Sequence, residues 1–221
     1  MKSIISTVLL TVLTSSAAYG EGLQVETRAF HANMRLDADK ATYLQDGAPA
    51  TTDGVSSSYY NTAGLGLAAV HVVDDILELG LGFSFARYYP SNGVQMDQTV
   101  LNGFSRINLA KTETSKVYML GGLSRQQLTQ DNESNEFARY KSSFTPIVNV
   151  DLGIGGTINF GSADLGLEYK HSNTVAAGRA SFQSLYKIQG LTGNQVSSDK
   201  IKFRNVALEG QELALTFGVK M

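Results

Sequence analysis

The sequence predicts an all-β fold: eight antiparallel strands in up-and-down order, closed into a transmembrane barrel. Three observations carry that expectation. Apolar residues recur at every second position over long stretches, the period of a strand with two unlike faces. The connections between those stretches alternate between short turns and long loops. The less apolar face consists of Gly and Ala with charged residues among them, a composition that suits a narrow interior.

The chain opens with MKSIISTVLLTVLTSSAAYG, residues 1–20, which reads as a secretory signal. Lys2 supplies the positive start, Ile4 to Leu13 the apolar stretch, and Ala18-Tyr19-Gly20 a small-x-small cleavage site. About ten apolar residues are too few to cross a bilayer core, which takes ~20. Residues 21–221 are then one barrel domain.

Eight strands are expected at roughly 23–34, 60–73, 76–88, 98–111, 116–128, 144–158, 162–172 and 208–221. The clearest is ILELGLGFSFARYY, residues 76–89, where Leu77, Leu79, Leu81, Phe83 and Phe85 share one face. Its predecessor, Ala63 to Ala69, also alternates, and Asp74-Asp75 between them marks a tight hairpin. Val148, Val150, Leu152, Ile154 and Ile158 alternate with Asn149, Asp151, Gly153, Gly155 and Thr157. After a turn at Asn159 to Ser162, Leu165, Leu167 and Tyr169 alternate with Asp164, Gly166, Glu168 and Lys170. The second and fourth strands have weak registers. In the fifth, Val117-Tyr118-Met119-Leu120 is apolar on both parities, so its faces stay open.

Short connections are expected at Asp74-Asp75, Thr112 to Ser115 and Asn159 to Gly161, and long ones at about 35–59, 89–97, 129–143 and 173–207. Short turns at one end and long loops at the other fit a membrane barrel with periplasmic turns and four extracellular loops. Outward Leu, Val and Phe suit hydrocarbon, and only a helix or a closed barrel pairs every backbone group there. Tyr59, Tyr60, Tyr88, Tyr89 and Tyr169 toward the loop end, with Tyr118 and Phe160 toward the turn end, read as two interfacial girdles.

The inward face is expected to hold a paired ionic network of Glu26, Arg28, Glu78, Asp151, Asp164, Glu168, Lys170 and Lys220, since an unpaired buried charge costs several kcal/mol. Eight strands enclose only enough room for side chains, so a plug is expected and not a pore. The last strand, ELALTFGVKM, ends on an apolar residue with Leu213, Leu215, Phe217, Val219 and Met221 in phase.

This layout resembles the small eight-stranded outer-membrane barrels of the OmpA-barrel, OmpX and OmpW kind, over residues 21–221. The resemblance implies a bacterial outer-membrane location, contact with outer-membrane lipid and lipopolysaccharide, a monomeric state and no cofactor. It also implies that the terminal strand is a signal read by the outer-membrane assembly machinery; that family usually ends in Phe, where this chain has Met221 and keeps Phe217 in phase. Such barrels serve as anchors, adhesins, narrow channels and lipid-modifying enzymes, so fold does not give function. The expected role is non-enzymatic, in envelope integrity or surface interaction through the loops. A narrow OmpW-like channel for small apolar molecules is the alternative, and a lipid A-modifying enzyme a minor one.

Three further groups bear on function. Lys200, Lys202 and Arg204 share one strand face in the last long connection, with Arg179 and Lys187 elsewhere in it; the expected reading is a strand extending above the membrane with one solvated face, and the alternative a contact for lipopolysaccharide phosphates or an acidic host polymer. His171-Ser172-Asn173 resembles the His and Ser of outer-membrane lipid A deacylases, but adjacent strand residues point to opposite faces and Asn173 is no nucleophile. Asp37, Asp39, Asp46 and Asp53 match no calcium-loop spacing, and His31 and His71 stand alone, so no metal is expected. The chain has no Cys, which excludes thiol catalysis and Cys-based metal sites, and a net charge of −2 gives no footing for nucleic acid.

Overall fold

Alternation of small and large residues along several of the strands decides how this wall packs. The computed structural model describes residues 22–45, 48–52, 56–88, 96–130, 138–190 and 193–221. They form eleven strands: β1 (Leu23–Gln45), β2 (Ala48–Thr52), β3 (Ser56–Val72), β4 (Leu77–Tyr88), β5 (Met96–Lys111), β6 (Ser115–Gln130), β7 (Ala138–Phe144), β8 (Ile147–Asn159), β9 (Ala163–Ala176), β10 (Gly178–Gly190) and β11 (Gly193–Lys220). The expected signal segment, Asp46, Asp53 and Tyr89 lie outside the described residues.

Eight strands form a closed antiparallel ring in the order β1, β3, β4, β5, β6, β8, β9, β11 and back to β1. The closing seam runs from Gln24 opposite Lys220 to Gln45 opposite Asp199. Register partners lead from Asn33 through Gln211, His171, Leu152, Gly121, Ser105, Leu79 and His71 to Leu23. The path returns to β1 ten residues nearer the N-terminus, the stagger that tilts the strands of a closed barrel. Closure pairs every ring strand on both sides, as hydrocarbon demands.

Three tight turns join strands at the end where the seam begins, at Gln24 and Lys220. Asp74 Oδ1 accepts from the amides of Ile76 (2.8 Å) and Leu77 (2.7 Å). Thr112 Oγ1 accepts from the amide of Ser115 at 3.0 Å. At the third, Asn159 Oδ1 accepts from the amide of Gly161, whose φ of 82° favours glycine.

The outward face is apolar around the ring. Leu65 and Leu81 are 70 % and 64 % exposed, and Leu101, Ile107, Met119, Leu152, Leu167 and Leu215 are also exposed. The inward face mixes small, charged and large buried residues, with Glu26, Glu78, Arg106, Asp151 and Glu168 all buried. Several inward glycines are recesses for aromatic rings. A Cβ on Gly64, Gly80 or Gly155 would overlap the rings of Phe30, Phe104 or Tyr118 respectively. Small residues on one strand therefore make room for large ones on the next.

The expected girdles need two corrections. Tyr60 and Tyr118 face the interior and are buried, whereas Tyr59, Phe160 and Tyr169 are exposed on the outside. For Tyr118 the open parity resolves inward together with Leu120, leaving Val117 and Met119 outside.

The expected loop boundaries are also corrected. β1 continues to Gln45, through residues expected to form a loop from 35 onward. β11 begins at Gly193 and runs for 28 residues, against the about 9–11 that a tilted crossing requires. β2 folds back on the end of β1, β10 on β11, and β7 on β10. A sheet thus continues past the apolar belt at the loop end. There lipid no longer imposes one apolar face, so the alternation fades while backbone pairing persists.

Candidate functional site

The barrel interior has two levels of different chemistry. At the turn end lies a charged cluster centred on Arg106 of β5. Its Nη1 and Nη2 donate to the two carboxylate oxygens of Glu26 on β1, at 2.6 and 2.7 Å. Nη2 also donates to Glu168 Oε1 on β9 at 2.5 Å, and Nη1 stands 3.7 Å from Glu78 Oε2 on β4. The guanidinium lies over the rings of Phe104 (5.0 Å) and Tyr118 (4.8 Å), the placement in which a ring's negative face attracts a cation. Tyr118 donates its hydroxyl to Glu168 at 2.8 Å.

The remaining charges extend this cluster along the lumen. Arg28 lies 3.0 Å from Glu168 and 2.7 Å from Glu212. Lys170 bridges Glu212 (3.2 Å) and Asp151 (3.7 Å), and Ser172 donates to Asp151 at 2.6 Å. Lys116 meets Glu78 at 2.5 Å, while Lys220 and Gln24 meet Asp164 at 3.4 and 3.1 Å. The eight residues named from sequence are thus brought together, with Lys220 the most exposed at the mouth. Sequence reading missed Arg106, Lys116, Glu212 and Tyr118. Six carboxylates here are matched by five cations, and each carboxylate has a cation within 4 Å.

Toward the turn end this cluster opens into a vestibule of about 190 Å³, lined by Glu78, Lys116, Asp164 and Lys220. Toward the loop end the interior turns apolar. Phe30, Met34, Tyr60, Met96, Leu128, Ile147, Val206 and Leu208 form a buried cluster there, with Phe144, Phe182 and Phe203 packed against it. Phe182 stands edge-on to Phe144 and to Phe203, with centroids 5.4 and 5.8 Å apart. The expected ionic interior is therefore only the lower level of the lumen; above it the filling is hydrophobic. Both levels are packed with side chains.

On the outside, Leu213, Leu215, Phe217, Val219 and Met221 all point away from the lumen, on the strand that closes the ring. Next to them the wall has a notch of about 510 Å³ over Thr27, Ala29 and Gly66, flanked by Leu65, Leu67, Phe83, Leu215 and Phe217. His171 and Ser172 are separated by the wall itself. His171 Nε2 lies 3.2 Å from Asn173 Oδ1 outside, and Ser172 is bound to Asp151 inside, so no hydrolytic pair forms. Asp37 pairs with Arg35 at 2.5 Å, and among the described residues no cluster of carboxylates and histidines suits a metal.

The basic trio sits on the extended part of β11. Lys202 and Arg204 are exposed, with half-buried Lys200 on the same strand parity, and Phe203 of the opposite parity packs against the apolar cluster. Below them the outward residues of β11 are odd-numbered: Glu209, Gln211, Leu213. The parity changes at Asn205, which adopts φ = 52°, beside register shifts at Asp37/Asp39 and Gly178/Ala180. A one-residue bulge reverses which side chains face out.

No protein-family model matches the chain, and no curated relative does. Among solved structures, the outer membrane protein OprG from Pseudomonas aeruginosa superposes with a TM-score of 0.58 at 14 % identity, covering 90 % of this chain and 96 % of its own. Neisserial surface protein A superposes with a TM-score of 0.51 at 14 % identity, over 91 % of this chain and 98 % of its own. The fold is that of the small eight-stranded outer-membrane barrels. An apolar outer wall together with this fold places the chain in a bacterial outer membrane.

Proposed function

We propose that this barrel is a non-enzymatic, non-conducting surface protein, whose work in envelope integrity or surface interaction is done by the sheet that β1, β2, β7, β10 and β11 carry beyond the membrane. One observation supports this most: the lumen is filled twice over, by the Arg106 cluster below and by the phenylalanine-rich cluster above. Moving solute through would mean unpairing buried charges below, at a cost of several kcal/mol each, and displacing a packed apolar layer above. The exposed basic face of β11 gives the extension a surface suited to anionic partners.

The test is conductance of the folded protein in planar bilayers. Silence, or only rare brief events, agrees with this reading; a steady open channel contradicts it. The alternative is passage of small apolar molecules sideways through the wall. The apolar upper lumen and the notch over Thr27 and Ala29 favour it. Faster entry of a small apolar dye into vesicles containing the barrel would select the alternative.

A further inference from the structure

We infer that the outward basic stripe of Lys200, Lys202 and Arg204 binds the phosphorylated core saccharide of lipopolysaccharide in the leaflet around the same barrel. The inference rests on the surface-interaction reading above and gives that surface its ligand.

Direction is the first argument. Asn205 takes a left-handed conformation, which Asn tolerates better than most non-glycine residues. Its effect is to put three cations on the outside. Had the parity of Val206 and Leu208 continued, Arg204 and Lys202 would enter the apolar lumen, and Phe203 would be exposed. The bulge therefore serves two ends together: it seats Phe203 against Phe182, and it turns the cations sideways. They point away from the barrel axis, toward neighbours in the same leaflet.

Height is the second. Asn33 and Gln211 are register partners and mark where the outward face turns polar. The stripe begins at Arg204 and continues to Lys200, further along β11 from that line. With a rise of ~3.3 Å per residue and a strand tilt near 40°, it stands roughly 15–30 Å above the hydrocarbon edge. The phosphates of the lipid anchor lie in the headgroup plane, below it. The layer at this height holds the core sugars, which carry phosphate and carboxylate groups.

Charge is the third. No described carboxylate pairs with Lys200, Lys202 or Arg204, although other exposed cations on this outer wall do pair, as Arg35 does with Asp37 and Arg87 with Asp97. Ser181 and Ser143 lie on the same face as Lys202, in register on β10 and β7. Hydroxyls beside ammonium groups suit an anionic saccharide.

The full-length barrel in lipid nanodiscs tests this. The probes are purified core-bearing lipopolysaccharide, the same material after dephosphorylation, lipid A alone, and heparin as a soluble polyanion. The variant carries Lys200→Gln, Lys202→Gln and Arg204→Gln together, and its heat-dependent gel mobility reports that it is folded. The expected result is at least about a tenfold loss of affinity for core-bearing lipopolysaccharide in the variant, as three charge-assisted contacts disappear. The wild type should lose a similar amount on dephosphorylation, and lipid A should bind both proteins alike. Equal binding of core-bearing lipopolysaccharide by wild type and variant overturns the inference. So does a variant that loses heparin alone, an outcome that leaves the broader surface-interaction reading standing. Asn205→Gly keeps the bulge and should bind as wild type; loss of binding there, in a folded barrel, would also overturn it.

Discussion

Arg106 on β5 reaches across the lumen and holds both carboxylate oxygens of Glu26 on β1, at 2.6 and 2.7 Å. The two residues are 80 positions apart in sequence and three strands apart in the ring. Their fork-to-fork geometry ties the two strands together across the lumen, with both side chains buried. The same guanidinium also meets Glu168 on β9, so one side chain neutralises carboxylates from two other strands.

Replacing Arg106 with Ala should therefore cost about 3–5 kcal/mol, because Glu26 and Glu168 are left buried with one cation fewer. Urea unfolding in phospholipid vesicles measures this as a lower midpoint. Adding Glu26→Gln and Glu168→Gln to Arg106→Met should recover much of the loss, since buried charges then disappear together. A single variant as stable as wild type would show the cluster to be energetically idle.

Tyr118→Phe removes one hydroxyl, the donor to Glu168 Oε1 at 2.8 Å, and leaves the ring under Arg106. A hydrogen bond to a charged group contributes about 1.5–3 kcal/mol. The same unfolding assay should find a loss in that range, well below that of Arg106→Ala.

Gly80→Ala and Gly155→Ala add a single methyl group where the rings of Phe104 and Tyr118 already lie. Each should destabilise by about 1–3 kcal/mol through overpacking. Gly103 faces outward, with only a Leu81 methyl 3.5 Å from its added Cβ, and serves as the control. Gly103→Ala should change stability far less.

At the turn end, Lys111 Nζ bonds Asp75 and holds its carboxyl below the ordinary carboxylate value, by hydrogen bond and then by charge. The folded value is depressed, so the pair's contribution is present above the ordinary value and lost as pH falls through the lowered one. Both groups are exposed, so the effect on stability is small. NMR titration should find Asp75 protonating below 3.8, and Lys111→Met should return it to the ordinary range.

The ring was legible in the sequence where lipid imposed its pattern. In β4, β8, β9 and the last turn-end stretch of β11, large apolar residues alternate with Gly, Ala and charges. β5 hid Arg106 because its outward positions include Thr99, Gly103 and Ser105, which look as polar as its inward ones. Tyr118 was hidden by Val117 and Met119, apolar neighbours of opposite parity. The extension was illegible for a different reason: beyond the bilayer no solvent contrast marks a face. Yet one signal was present. Lys200, Lys202 and Arg204 fall on even positions and Leu213, Leu215 and Phe217 on odd ones, a phase conflict within one strand that only a bulge resolves.

The sidedness of the closing strand decides whether its leucines face lipid or lumen. Single nitroxide labels placed in turn from Leu213 to Val219, with the protein in lipid vesicles, report collision with oxygen, which concentrates in hydrocarbon. Labels at Leu213, Leu215, Phe217 and Val219 should collide often, and those at Ala214, Thr216 and Gly218 rarely. High collision rates at the even positions and low ones at the odd would place the leucines inside and contradict the barrel described.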